Sequence, residues 1–404
     1  MHSVSCLSNG MRIVCLPTKS QIELCGMVVD AGSRDEAAHE FGLAHFVEHT
    51  IFKGTKHRRW THINKRMEAV GGELNAYTTK EDTIVYSVFP AGYLDRAAEL
   101  LADLLTCPTF PEAEIEKERH VVCDEIQSYR DIPAEGIFDD FEDKIYAGSE
   151  PGHNILGTLD TVQSLTPEMC LRWVQTRFTP GRIVFFYAGR LAPERVFRTV
   201  ERHFSHMHLP DAAQTRQTPA TVAPFDLSVN LDCHQSHTVV GARIPGYMSE
   251  LTPALALATN ILGGPGMNSL LNAELRERRG LVYTIDASTS LLADSGLFTV
   301  YFGCDEEDNK RCRRLVADIL TRLADTPLTP RRLDAAKRQL CGQLTVANAN
   351  MENAVTSLAR QLLHKGAIST QKESAERIYA VSADKLSEAV ALLRPELCSA
   401  LTFV

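Results

Sequence analysis

The chain has 404 residues, 44% of them hydrophobic and 23% charged, and its 42 basic and 51 acidic side chains leave a net charge of -9. This ordinary globular balance excludes a collagen, a coiled coil and a disordered tail, and at roughly 150 residues per domain it implies two or three domains. The acidic balance argues against a general nucleic-acid binder, and no apolar run approaches the roughly 20 residues of a membrane helix.

In chain order, MRIVCL and the segment 23–30 read as strands. Segments 41–52 and 61–69 carry the apolar spacing of helices, and Gly71-Gly72 marks a turn. Segments 73–78 and 83–89 read as paired strands, and 93–105 as a helix. Pro111 opens a long helix to about residue 130, 167–177 is helical, and 183–188 is a buried strand. Residues 209–224 collect Pro, Gln, Thr, Asp and Ala and read as a linker.

The order then recurs. Gly26 aligns with Gly241, Tyr86 with Tyr301, and LADLL at 101–105 with VADIL at 316–320, all at an offset of 215 residues (241 − 26, 301 − 86, 318 − 103). Repeated matches at one offset indicate two copies of a single α+β domain. The expected division is 1–208 and 225–404, joined by the linker. The 11 cysteines are scattered, with no C-x-x-C pair. They read as reduced, buried thiols in a cytoplasm-like compartment. The start MHSVSCLSNGMRIVCLP lacks a basic region followed by an apolar core, so no signal peptide is expected.

GLAHFVEHTIFKGT places His45 and His49 four residues apart, hence on one face of a helix, with Glu48 bordering that face. Two imidazoles so placed can hold one metal ion, and the carboxylate can take a proton from water that the ion has acidified. The alternative is a solvated helix in which the histidines pair with Glu48. In EAEIEKERHVVCDEIQSYR, Glu118 and Glu125 lie seven apart, within a stripe that includes Ile115, Val121, Val122 and Ile126. A carboxylate on a buried face needs a positive partner, which a metal ion supplies. The alternative is pairing with Lys117, Arg119 or Arg130 on a solvated face. His57 and His62 follow in the basic segment KGTKHRRWTH and read as a solvated loop. The GGPG string at 263–266 lacks the Lys-Ser/Thr of a phosphate loop and reads as a hinge-like turn.

The string H-x-x-E-H, followed by E-x6-E with Glu125 76 positions after His49 (125 − 49), resembles the pitrilysin/insulinase metallopeptidases. The likeness spans nearly the whole chain. It is strongest to the short-chain branch that includes the catalytic subunit of the mitochondrial processing peptidase and bacterial homodimeric relatives. It implies one Zn2+ per chain held by His45, His49 and Glu125, with Glu48 as general base and Glu118 as a supporting acid. GGELNAYTTKEDTIVY resembles the family's edge strand, which takes the substrate as an added strand and so points to Asn75 and Ala76. LRERRGLVYTIDAS resembles its Arg-x6-Tyr element, so Arg276 and Tyr283 would donate to the oxyanion of the attacked amide. The string MNSLLNAEL departs from the usual Ser-Ser-Arg-Leu type, which bears on substrate contacts and not on the metal.

The resemblance further implies an α+β fold. It has two homologous α/β-sandwich-like domains, each a mostly antiparallel sheet packed with helices, together forming half of a clamshell. At the 215 offset His45, Glu48, His49 and Glu125 map to Asn260, Gly263, Gly264 and Leu340, so the second copy holds no ligands. The implied function is a zinc endopeptidase that cleaves peptides or unfolded segments in a dimeric chamber, by Glu-assisted attack of zinc-bound water. A homodimer would be self-sufficient, and a heterodimer with an inactive relative is the other assembly. The protein is expected to be cytoplasmic, with a peptide as substrate and neither nucleic acid nor membrane as partner. Two other functions are a non-catalytic scaffold subunit of a larger complex and a metal-dependent amidase on small molecules.

Overall fold

The computed structural model describes residues 2–207 and 215–404, so residues 209–214 of the expected linker lie outside the described residues. The first half runs β1 (Ser3–Cys6), β2 (Arg12–Pro17), β3 (Ile22–Val29), α1 (Leu43–Thr50), α2 (Trp60–Glu68), β4 (Glu73–Thr78), β5 (Thr83–Pro90) and α3 (Leu94–Thr106). It continues through α4 (Glu112–Arg130), α5 (Pro133–Ile145), α6 (Leu159–Ser164), α7 (Pro167–Arg177), β6 (Ile183–Gly189) and α8 (Pro193–Phe204). The second half begins β7 (Asp226–Val229), β8 (Ser236–Ile244), α9 (Thr252–Gly263), β9 (Val282–Leu291), β10 (Gly296–Cys304) and α10 (Glu306–Asp325). It ends α11 (Pro330–Ala347), α12 (Met351–Lys365), α13 (Gln371–Tyr379), α14 (Ala383–Ala391) and β11 (Ser399–Phe403).

Each half builds one sheet, and the two sheets share a five-strand topology to which the first adds β1 at one edge. The first has the order β1-β2-β6-β3-β5-β4 and the second β7-β11-β8-β10-β9. Pairing is antiparallel throughout except for β2 with β6 and β7 with β11, which are parallel. β6 is buried along its whole length and β3 from Glu23 onward, which is why both read as apolar runs. Odd-numbered residues such as Met27, Val29 and Phe185 face one core, and even-numbered residues such as Leu24, Val28 and Phe186 face another.

The expected boundaries at 208 and 225 miss an exchange of helices. One compact unit comprises Met1–Gln127, Asn154–Arg216 and Ala347–Ser369, and the other comprises Ser128–His153, Gln217–Val346 and Thr370–Val404. In the first unit α12 lays Val355, Ala359, Leu362 and Leu363 on Val14, Val28, Val184 and Phe186 of the sheet. In the second, α5 lays Ile137, Phe141 and Ile145 on Val239, Tyr301, Leu401 and Phe403. Each sheet thus receives one covering helix from the other half of the sequence. The cause is generic: an amphipathic helix must bury its stripe, and either sheet offers an equivalent apolar face.

Register also corrects the constant offset. Gly26 pairs with Tyr86 and Phe186, whereas Gly241 pairs with Thr299 and Ser399, not with Tyr301. The partner strands therefore sit two residues from the expected alignment. A two-residue slip leaves every side chain on the same face, so the hydrophobic pattern does not report it.

Gly26 faces α12, and a Cβ there would lie 2.4 Å from Tyr86 Cβ and 2.6 Å from Phe186 Cζ. Gly26→Ala is therefore expected to destabilise the first unit by about 1–3 kcal/mol through overpacking, read as a lower Tm with β-sheet content retained. An unchanged Tm would show that the Phe186 ring moves aside freely.

All eleven cysteines are free thiols, but the expected burial holds for only five of them: five are half-buried, and Cys6, on the edge strand β1, is exposed. Among the described residues, no helix is long and apolar enough to cross a membrane.

Candidate metal centre

The centre is built on α1, α4 and β4 of the first unit. Gly42 starts α1 at φ 95°, where a Cβ would lie 2.6 Å from Leu156 O, so only glycine fits. The half-buried Glu36 then accepts through its carboxylate from the N–H groups of Gly42 at 2.8 Å and Ala44 at 2.7 Å, capping the helix start. Leu43, Ala44, Phe46 and Val47 pack into the core and hold α1 in place. This fixes which way His45, Glu48 and His49 point. Across from them, Ile115, Val122 and Ile126 bury one stripe of α4, whereas Val121, expected in that stripe, is exposed because it falls a turn-position off the buried face. Glu118 and Glu125 flank that stripe and meet the histidines.

Glu125 Oε2 lies 3.7 Å from His45 Nε2 and 3.5 Å from His49 Nε2. This oxygen is buried and has no hydrogen-bond partner. Three donors held about 2.0–2.2 Å from one tetrahedral ion lie roughly 3.3–3.5 Å apart, so the spacing fits zinc closely. An acceptor aimed between two imidazole nitrogens, too far away to bond either well, is the feature a cation would complete. Two imidazoles and one carboxylate are a donor set suited to catalytic zinc, which keeps a further position open.

Electrostatics prepare the same atoms. Burial, with the adjacent His49, pulls the His45 pKa down to about 3, which keeps the imidazole neutral and its lone pair available. His49 also feels burial, but hydrogen bonding to Glu118 and the charges of Glu48, Glu125 and Glu118 raise its pKa overall. His49 Nδ1 sits 3.3 Å from Glu118 Oε2, and Lys53 Nζ lies 2.5 Å from Glu118 Oε1. Against the opposing effect of burial, these two partners hold the Glu118 pKa below the usual carboxylate range. An ionised Glu118 accepts from Nδ1–H and leaves Nε2 of His49 free as a ligand atom. His45 Nδ1 is buried without a partner, so packing alone orients that ring. Burial raises the Glu48 pKa, against the lowering effect of Thr78 and His49, and the Glu125 charge adds to the rise.

Five of the expected residues thus come together: His45, Glu48, His49, Glu118 and Glu125. The surface pairing that was the alternative for Glu118 does not occur, since Lys117 pairs with Glu114 and Arg119 with Glu116. Asn75 and Ala76 lie on β4, the edge strand of the first sheet. Arg276 and Tyr283 belong to the second unit. Arg276 sits in the π-helical turn Asn272–Glu277, and Tyr283, near the start of β9, is 81% exposed.

His57 and His62 are exposed, as expected, but neither is a free loop residue: His62 lies in α2, and His57 Nδ1 lies 2.6 Å from the buried Asp103. His57, Asp103 and Cys107 form a second grouping with metal-capable atoms. Thr55 and Arg58 already occupy Asp103 Oδ2, so this grouping reads as a clamp on the loop after α1. Sequence reasoning missed two residues at the centre, Lys53 and Thr78. Thr78 Oγ1 donates to Glu48 Oε2 at 2.7 Å. The only signals for them were their places in the FKGT and NAYT strings.

Residues 13–159 match the family described as Insulinase (Peptidase family M16). The chain is also 32% identical over 387 residues to a protein named as an uncharacterized zinc protease of Mycobacterium tuberculosis, covering 94% of this chain and 88% of the relative. The chain belongs to the insulinase family, M16. Another family member, the uncharacterized zinc protease YmxG of Bacillus subtilis, is 28% identical over 381 residues, covering 94% and 92%. Residues 164–340 match the peptidase M16 inactive domain. That span takes in Asn260, Gly263, Gly264 and Leu340, the positions that the 215 offset sets against His45, Glu48, His49 and Glu125. Two M16-like folds agree with this one across the whole chain. A protease from Helicobacter pylori has a TM-score of 0.91 at 20% identity, covering 100% of this chain and 99% of its own. A peptidase M16 inactive domain from Pseudomonas fluorescens has a TM-score of 0.92 at 16% identity, covering 100% and 97%.

Proposed function

We propose that this M16 family member is a zinc-dependent endopeptidase that hydrolyses peptides or unfolded segments. The observation that carries the reading is the unpartnered Glu125 Oε2 facing Nε2 of both His45 and His49, with Glu48 alongside. Zinc held by these three side chains would polarise an amide carbonyl and acidify water.

The chain's own residues do the rest. Glu48, with its pKa raised by burial, takes a proton from the attacking water and returns it to the leaving amine as the C–N bond breaks. Glu118, held by Lys53, keeps His49 in the tautomer that binds metal. The open edge of β4 at Asn75 and Ala76 offers main-chain hydrogen bonds to an extended peptide, which favours peptides over small amides. Arg276 and Tyr283 of the second unit are the donors proposed for the oxyanion. We further propose a homodimer, since one chain carries both the ligand set and the Arg/Tyr pair.

The test combines a metal assay with a mixture of unstructured peptides. The protein is expected to carry one zinc per chain, to cut at internal bonds, to lose activity on chelation and to regain it with added zinc. Cleavage that survives complete metal removal contradicts the reading. Zinc-loaded protein that cuts no peptide supports the scaffold role instead.

A further inference from the structure

We infer that Thr78 is a positioning residue that holds Glu48 as the proton acceptor and ties it to the end of the edge strand. The inference rests on the peptidase reading above, and it starts from the geometry of one side chain. A glutamate has three rotatable bonds, so its carboxylate is placed only if something anchors it. His49 is oriented by Glu118, and Glu118 by Lys53, but neither bond holds Glu48. The anchor is the Thr78 hydroxyl, 2.7 Å from Glu48 Oε2. With Oε2 occupied, Oε1 is the oxygen left to accept a proton.

The anchor is itself rigid. Thr78 pairs with Thr83 of β5, and the turn between them closes through Thr79 N–H to Asp82 O at 2.7 Å. Arg360 Nε donates to Asp82 at 2.7 Å, and His364 bonds the same carboxylate, so α12 clamps the turn. Glu81 is paired with the buried Arg34 at 2.8 Å. Backbone N–H groups alternate in direction along a strand. Since the Thr79 N–H points back across the turn, that of Thr78 points outward, on the side of the Glu48 carboxylate. One residue therefore ends the strand proposed to receive the peptide and also sets the base beside the bond to be cut.

Thr78 touches none of the three ligand side chains through a hydrogen bond. Its loss should accordingly slow turnover and leave the metal in place. Thr78→Val keeps the shape and β-branching and removes only the donor. Misplacement of a catalytic group by about 1 Å can cost roughly 10²-fold. T78V is expected to lower kcat by about 10–100-fold, with KM, zinc content and Tm unchanged, and T78S to recover to within about threefold of the original chain. A T78V enzyme with unchanged kcat overturns the assignment. So does a change confined to KM or to zinc content, or a T78S enzyme as slow as T78V.

The readout that does not depend on turnover is the crystal structure of the metal-free protein. Glu48 is expected to meet Thr78 in the original chain and to leave that position in T78V. A structure of the original chain in which Glu48 points elsewhere overturns the inference even without a variant. If the original chain cleaves no peptide yet its Glu48 meets Thr78 and shifts in T78V, the positioning role stands and the peptidase reading falls.

Discussion

Glu48→Gln is expected to retain zinc and to lose turnover by roughly 10²- to 10⁴-fold, the range that a positioned general base contributes. Gln has the same length and can still accept a hydrogen bond from the Thr78 hydroxyl, so the side chain should stay where it is. What it loses is the capacity to take a proton. Glu48 is not among the proposed ligand atoms, the Nε2 atoms of His45 and His49 and an oxygen of Glu125, which lie close enough together to hold one ion. Metal content should therefore match the original chain, and the loss should fall on kcat rather than KM. Zinc analysis beside peptide kinetics checks both halves, and a fully active E48Q enzyme would remove Glu48 from its role.

Glu125→Ala should weaken zinc binding by at least about 100-fold, because disturbing even a residue behind the ligands commonly costs 10- to 100-fold. Two imidazoles would remain, in a site that lacks its only anionic ligand. The metal-free protein should respond in the opposite sense. There Glu125 Oε2 is buried without a partner, a condition that disfavours the folded state. The metal-free variant is thus expected to melt at a temperature no lower than the metal-free original chain, while the stabilisation that zinc confers on the original largely disappears. Chelator competition and thermal melts with and without zinc measure the two effects. Equal zinc affinity in both proteins would show that Glu125 is not a ligand.

The parts of this centre that were legible in the sequence are those governed by one helix at a time. His45 and His49 follow from a spacing of four, and Glu118 and Glu125 from a spacing of seven. β3 and β6 announce themselves as apolar runs because both of their faces are covered. The exchange of α5 and α12 left no trace, since a stripe such as Val355, Ala359 and Leu362 says that a face must be buried but not against which sheet. The two-residue slip opposite Gly241 was invisible because strand side chains alternate with a period of two. Thr78 and Lys53 were missed for another reason. Each is a single polar residue with no periodicity, and each acts on a partner that only the fold brings near: Glu48 lies 30 positions from Thr78, and Glu118 is on a different helix from the segment carrying Lys53.

We propose that the first domain alone holds a zinc ion, at His45, His49 and Glu125. Anomalous scattering at the zinc edge from crystals of the purified chain would locate the ion. One peak per chain is expected, about 2.0–2.2 Å from Nε2 of His45, Nε2 of His49 and an oxygen of Glu125. Zinc-replete crystals with no peak at those atoms, or with the peak in the second domain, would contradict it.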